Sequence, residues 1–420
     1  MDFKKLKILL VNHSDARGGA AVVTHRLMDA LCAEGVDTRM LVVHKDSDSL
    51  RVAEAATSRR AALPFLAEHA DIFLHNGFNR ESVFKISTGR FGLPLHRHPW
   101  VKNADAIILN WVNQGFLSLD EINRIASEKP VIWTMHDQWN MTGVCHYTDS
   151  CRNFLTGCSD CHLMPKSSIP QKVFRRKLKL YHSANIRFVA VSNCLAERCR
   201  KSPLMVDADM RVIPNAMPVN KFTPKAVLSR SELGLPDNKK IVVMGASRLD
   251  DPVKNLPLAI STLNKAGDSI FPVFFGNIRN PLLLDSLYIK HLWMGPVNEL
   301  TKLQSLMAHA DVVLSTSVWE TLPGTLVEGI SCGAAGVATG NGGQSDIITD
   351  GITGFIAECD PNSTLNDQAD RLADALHKAL LLPFDMDARW HRHRLMVEKF
   401  AAPAVARAYI SLISEALRTE

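Results

Sequence analysis

The strongest constraint on the fold is a rhythm of short apolar runs that appears twice along the chain. Residues 7–12, 38–44, 106–111, 131–135 and 188–192 are rich in Ile, Val and Leu, and each ends in a polar or glycine-rich turn. Helical segments follow, the first over residues 20–34, which stops at Gly35. Runs apolar on both faces suit strands buried inside a parallel sheet. The rhythm restarts with 240–244, 271–275, 292–294, 311–315 and 336–338. Strands alternating with helices predict an α/β fold of doubly wound sheets, here two of them.

Between the two sets lies Val212-Ile213-Pro214-Asn215-Ala216-Met217-Pro218 and then a polar stretch to about Asn238. Its prolines read as a linker. The expected domains are residues 1–217, with a cysteine-rich insertion at 141–165, and residues 218–400. A last helix at 401–420 has no strand after it and is expected to pack back on the first domain. Facing Rossmann-like domains would enclose a cleft, with ligands beyond the carboxyl ends of the strands.

Composition narrows the function. Of 420 residues, 48 are Lys or Arg and 43 Asp or Glu, a net charge of +5, so no concentrated basic surface argues for nucleic acid. No apolar run approaches the ~18 residues of a membrane-spanning helix. The start, Lys4, Lys5 and Lys7 before Ile8–Val11, has too few apolar residues for a signal-peptide core, which takes about seven. The expectation is a cytoplasmic chain that visits the inner face of a membrane.

Three loops carry candidate chemistry. After the first strand, Gly18-Gly19 opens a helix; the pair suits close backbone approach to an anion and equally suits a tight turn. It is neither GxGxxG nor a Walker motif. In Glu320-Thr321-Leu322-Pro323-Gly324-Thr325-Leu326-Val327-Glu328, Pro323 and Gly324 place Glu320 in a loop. Thr325 reads as the cap of a new helix with Glu328 near its first turn. Such acids could bind sugar and ribose hydroxyls, or merely complement the helix dipole. Arg248 and Lys254 follow the first strand of the second half. An arginine fork and a lysine can stabilise a departing diphosphate; most loop cations are simply solvated.

In this order the segments resemble retaining glycosyltransferases of family 4, with the GT-B fold. The resemblance rests on Gly18-Gly19, His136-Asp137, Val189-Ala190-Val191-Ser192, Val212-Ile213-Pro214-Asn215, Arg248 with Lys254-Asn255, Glu320-x7-Glu328, Cys332-Gly333 and Asn341-Gly342-Gly343. It implies a nucleotide-diphosphate sugar of UDP or GDP type as donor, held by the second domain. It also implies a glycan or lipid-linked acceptor on the first, as in bacterial surface-polysaccharide synthesis. Arg248 and Lys254 match the diphosphate-contacting pair, Glu328 the ribose-binding acid and Glu320 the acid at the donor sugar. Backbone amides across Leu322, Pro323, Gly324 and Thr325 would hold phosphate or sugar. Gly18 and Gly19 would approach the diphosphate, and His136 the transferred sugar. The implied mechanism is front-face substitution with no metal or other cofactor in catalysis. The sequence departs at Gly333-Ala334-Ala335-Gly336, which lacks a proline common there, and at Thr321, where glycine or another small residue is common. A nucleotide-sugar epimerase and a non-catalytic nucleotide- or glycan-binding protein are the alternatives.

Two features lie outside that match. Cys145, Cys151, Cys158 and Cys161 are spaced C-x5-C-x6-C-x2-C, with His146 and His162 beside them. They read as a structural zinc site, as free or reversibly oxidised thiols, or as an iron–sulfur site. From Lys166 to Lys201 there are ten Lys or Arg against Glu197 alone. In that stretch Lys172, Arg175, Arg176, Lys177 and Lys179 read as a solvated face or as a membrane-surface contact.

Overall fold

Each set of apolar runs becomes one parallel sheet. The computed structural model describes residues 6–360 and 362–418; Lys4 and Lys5 lie outside the described residues. The chain divides into a first unit, Met1–Ala216 with Ala402–Glu420, and a second, Met217–Ala401.

In the first unit the elements run β1 (Lys7–Val11), α1 (Gly19–Ala33), β2 (Asp37–Val42), β3 (Val52–Glu54), α2 (Ser58–His75), α3 (Pro99–Asn103) and β4 (Ala106–Leu109). They continue with α4 (Leu119–Glu128), β5 (Val131–Met135), α5 (Ile169–Ser183), β6 (Ile186–Ala190), α6 (Asn193–Arg200) and β7 (Met210–Val212). The strands lie in the order β3-β2-β1-β4-β5-β6-β7, every neighbour parallel. All residues of β4 and β5 are buried, which is why those runs carry no charge.

The second unit holds β8 (Lys240–Arg248), α7 (Leu256–Ala266), β9 (Ile270–Asn277), β10 (Leu292–Trp293), α8 (Leu300–His309) and β11 (Val312–Ser315). After these come α9 (Gly324–Ser331), β12 (Ala335–Thr339), β13 (Gly354–Ala357), α10 (Leu365–Leu380) and α11 (Met386–Phe400). Its sheet order is β10-β9-β8-β11-β12-β13, again all parallel. The winding therefore reverses between β1 and β4 in one unit and between β8 and β11 in the other. Such reversal points are where α/β sheets bind ligands.

The last helix, α12 (Ala402–Ala416), belongs to the first unit. Val405, Ala406, Tyr409 and Ile413 share a core with Leu27 and Leu31 of α1. Tyr409 Oη and Thr134 Oγ1 of β5 are hydrogen-bonded at 2.9 Å.

The structure corrects the strand reading in three places. Val212 ends β7, so the stretch read as a linker begins inside the sheet. β3 and β13 were not read as strands: one is three residues long and the other starts at a glycine. β8 continues to Arg248, beyond its apolar run, with a bulge between Gly245 and Arg248. Bulges re-aim side chains and are frequent beside active sites. Among the described residues no helix is long and apolar enough to cross a membrane.

Candidate active site

In the second unit the loops after β8 and β11 are tied together at the point of reversal. Val318 N donates to Val253 O at 2.8 Å, and Thr316 Oγ1 donates to Lys254 O at 2.9 Å. These bonds bring two of the expected residues into contact: Lys254 Nζ forms an ion pair with Glu320 Oε1. Ser317 Oγ donates to the same carboxylate oxygen at 2.9 Å. Glu320 is also fixed through its backbone, since it bridges Gly342 and accepts from Gly343 N at 2.8 Å. Gly342 has φ +145°, and a Cβ there would lie 2.3 Å from Glu320 O. That explains the glycines of Asn341-Gly342-Gly343: they let one backbone press against another.

Arg248 faces elsewhere. Its guanidinium pairs with Asp251 at 3.1 Å and Asp250 at 3.5 Å, while remaining about one-third exposed. Both aspartates are pinned, Asp251 by Val253 N and Asp250 by Arg279 N. A ligand phosphate would compete for a cation already oriented and only partly neutralised.

The start of α9 differs from the sequence reading. Pro323, not Thr325, is the N-cap, and no side chain caps the helix. Thr325 is its second residue and donates to Gly245 O at 3.4 Å, joining α9 to the end of β8. Gly324 and Thr325 are half-buried, Leu322 and Pro323 buried. Glu328 therefore lies in the second turn and is half-buried. First-turn amides without a capping side chain suit an anion.

In the first unit the sheet's carboxyl edge is a hydrogen-bonded network. Trp111 N donates to Asn12 Oδ1 at 2.9 Å and Trp111 Nε1 to Asp137 Oδ2 at 2.9 Å, linking the loops after β1, β4 and β5. Asp137 also accepts from Trp139 N at 2.8 Å and from His146 Nδ1 at 2.7 Å. Burial alone would raise the Asp137 pKa, but the charge and hydrogen bond of His146 with these donors hold it below the ordinary value. His136 sits on this platform, its Nε2–H donating to Asn110 Oδ1 at 3.0 Å. Asn110 Nδ2 donates to Ile108 O at 3.4 Å, which sets the amide's orientation. Burial, partly offset by the Asp137 charge, lowers the His136 pKa to about 4. His136 is thus a neutral imidazole at physiological pH. Gly18 (φ +88°) caps α1, and nothing of the protein lies within 4 Å of a Cβ placed at Gly18 or Gly19. The open space above them admits a ligand.

His13, whose backbone N donates to Trp111 O at 2.9 Å, was missed as part of this edge, as were Asn110 and Trp111. Only their positions just after β1 and β4 could have marked them. Asp46-Ser47-Asp48 lies in the loop after β2. Asp46 is paired with Arg17 at 2.6 Å.

All four cysteines of the insertion are free thiols, Cys145 and Cys158 buried, Cys151 and Cys161 half-buried. Among the described residues no group of three or more His, Cys, Asp or Glu is placed to hold a metal ion. His146 is committed through both ring nitrogens, to Asp137 and, at 3.0 Å, to Ser87 Oγ. Burial pushes the Cys145 thiol up to about 12 and the Cys158 thiol up to about 11. Lys177 is fully buried, not on a basic outer face, and ties α5 to this segment. Its ammonium donates to Trp139 O at 2.6 Å and Thr142 O at 3.1 Å and lies 3.4 Å from the centre of the Trp139 ring. Burial lowers the Lys177 pKa well below its usual value.

Comparison with known proteins fits this geometry. Residues 228–393, nearly all of the second unit, match the family described as "Glycosyl transferases group 1". WcaC of Escherichia coli K12, provisionally assigned as a colanic acid biosynthesis glycosyl transferase, is 24% identical over 82% of this chain and 85% of its own. A phosphatidyl-myo-inositol mannosyltransferase of Mycobacterium tuberculosis is 26% identical over 77% of this chain and 76% of its own. The Anabaena HepE structure, solved with UDP and glucose, superposes with a TM-score of 0.63 at 15% identity. That superposition covers 98% of this chain and all of that one. The second unit thus matches the group 1 glycosyl transferases, and the chain has the GT-B fold.

Proposed function

We propose that the chain is a retaining, family 4-type enzyme. It moves a sugar from a UDP or GDP sugar to a hydroxyl of a glycan or lipid-linked acceptor, at the inner face of a membrane and without a divalent metal. The observation that carries this reading is the Lys254–Glu320 pair at the β8/β11 reversal, beside the uncapped start of α9. Lys254 and Arg248 take the two phosphates, exchanging the protein's carboxylates for the ligand's phosphate oxygens. Glu320, released from Lys254, accepts from sugar hydroxyls, and Glu328 accepts from the ribose diol. The neutral His136 presents a hydrogen-bonding imidazole to the transferred sugar without adding charge. The open backbone at Gly18 and Gly19 admits the diphosphate.

The acceptor hydroxyl attacks the anomeric carbon on the face from which the diphosphate departs. The bond to the diphosphate oxygen breaks as the new glycosidic bond forms, and the hydroxyl proton passes to that oxygen. Positioning and cationic stabilisation of the leaving group supply the rate. The UDP and glucose held by HepE support the donor class. The assigned pathway of WcaC and the lipid in the mannosyltransferase's name support the acceptor class.

Hydrolysis provides the test, with water as acceptor. Purified protein is incubated with UDP and GDP sugars, and the released sugar is read by NMR before it mutarotates. Consumption of one donor class with the donor's own anomer appearing first is the expected result. The opposite anomer appearing first overturns retention, and no consumption of any donor overturns the donor assignment. A structural zinc that would gather Cys145, Cys151, Cys158 and Cys161 is a separate proposal, supported by their spacing and by Gly143 N donating to Cys158 Sγ at 3.3 Å. One zinc per chain after purification without chelator supports it, and none overturns it.

A further inference from the structure

A cavity of about 460 Å³ opens in the first unit between α2 and α5. Asp71 and His75 of α2, Arg90, and Lys166, Lys172 and Arg176 around the start of α5 line it. Four permanent cations thus share a concave space with one carboxylate. Arg90 takes that carboxylate with both oxygens at 2.8 Å. Arg176 reaches outward to Asp120 at 2.8 Å, an acid that is three-quarters exposed. Lys166 and Lys172 are exposed and form no ion pair among the described residues. Lys166 is also held at φ +64°, a left-handed backbone that a lysine rarely adopts. Like charges gathered in a concavity repel one another, and the field they focus attracts an anion.

The cavity lies on the functional side of this unit. Because α5 leads into the parallel strand β6, its first turn sits at the carboxyl edge, the edge that carries His136. Near His75 in the sequence, Leu74 and Phe78 expose apolar surface, at 61% and 62% exposure.

We propose that this cavity binds a phosphate or diphosphate group borne by the acceptor. As an acceptor subsite it rests on the transferase reading; as an anion site it stands on the cavity alone. Arginine and lysine in this number match two phosphates, with Arg176 able to exchange the exposed Asp120 carboxylate for the ligand.

The test is calorimetric titration of the full chain carrying Arg248→Ala, so that the donor site does not contribute. Inorganic pyrophosphate and farnesyl diphosphate are the probes. Both are expected to bind, and Lys166→Glu with Lys172→Glu in the same background is expected to weaken pyrophosphate at least tenfold with an unchanged melting temperature. If the double variant melts lower, Lys172→Gln alone must still weaken binding. Farnesyl diphosphate binding tenfold more tightly than pyrophosphate, with the gain lost in Phe78→Asp, assigns a lipid-borne group. Equal binding assigns a soluble phosphorylated glycan. No pyrophosphate binding, or binding unchanged in Lys166→Glu with Lys172→Glu, overturns the proposal. A wild type that consumes no nucleotide sugar yet binds pyrophosphate here would overturn the transferase reading and leave this site standing.

Discussion

The two units build their carboxyl edges from opposite materials. In the first, Asp137, His146 and Asn12 are buried and Trp111 is half-buried, and every link is a hydrogen bond of 2.9 Å or less. In the second, Lys254, Glu320, Arg248 and Asp251 are partly exposed and held by ion pairs. The difference teaches which edge is a platform and which is a set of contacts meant to be exchanged. Buried networks are costly to disturb, whereas exposed ion pairs add little to stability and are easily traded for a ligand's charges.

Lys254→Ala breaks the second edge where it matters most. Turnover should fall about 100- to 1,000-fold, the scale for losing one group that stabilises developing charge. Its melting temperature should stay close to wild type, because the pair is partly exposed and Ser317 still donates to the Glu320 carboxylate. Denaturation followed alongside donor consumption separates the two effects; a large loss of stability would make Lys254 part of the platform.

Asp137→Ala should do the reverse. It strands Trp111 Nε1, Trp139 N and His146 in a buried space, so urea titration should show about 3 kcal/mol of lost stability. Stability within about 1 kcal/mol of wild type would mean the platform is not load-carrying.

Gly342→Ala probes the backbone contact under Glu320. Its φ of +145° and its closeness to Glu320 O leave no room for a methyl group. Displacing Glu320 by a fraction of an ångström should cost about ten- to a hundredfold in turnover, measured as kcat with saturating donor.

The platform should also be sensitive to acid. His136 and His13 both have pKa values lowered to about 4, burial being the first cause in each. The unfolded chain therefore takes up protons near the ordinary pKa of about 6.5 that the folded chain refuses until about pH 4. Their contribution to stability is complete above the ordinary value and is lost as pH falls through that window. Thermal unfolding between pH 7 and pH 4 should show this decline, and His136→Gln should flatten part of it. A slope unchanged by His136→Gln would show that the imidazole is not sheltered.

Arg17→Ala should have the smallest effect. Its partner Asp46 is also outside the core, so the urea midpoint should stay at the wild-type value. A lower midpoint would mean that the glycine turn at Gly18 depends on this pair.

Much of this was legible in the sequence, for physical reasons that differ by region. The buried strands were readable because a parallel sheet favours Ile, Val, Leu and Ala, as in Ala106–Leu109. β3 and β13 carried too few residues to show a pattern. Glu320 and Lys254 could be named because loops after strands are few and charge in them is conspicuous. That they touch could not be read, since 66 residues separate them and only the sheet order brings their loops together. Lys177 was misplaced because lysine is almost never fully buried. Its burial depends on two carbonyls and an indole face supplied by the loop at 139–142. The platform residues His13, Asn110 and Trp111 form no motif at all, and only the fold gathers them.

The most direct test of the central claim is calorimetric titration of UDP and GDP into wild type, Lys254→Ala and Asp137→Asn. The account predicts that one nucleotide binds wild type, that Lys254→Ala weakens it at least tenfold, and that Asp137→Asn, compared at a temperature where it remains folded, leaves its affinity nearly unchanged. Equal affinity in wild type and Lys254→Ala would contradict the account, because the exchangeable pair would then not be where the donor diphosphate binds.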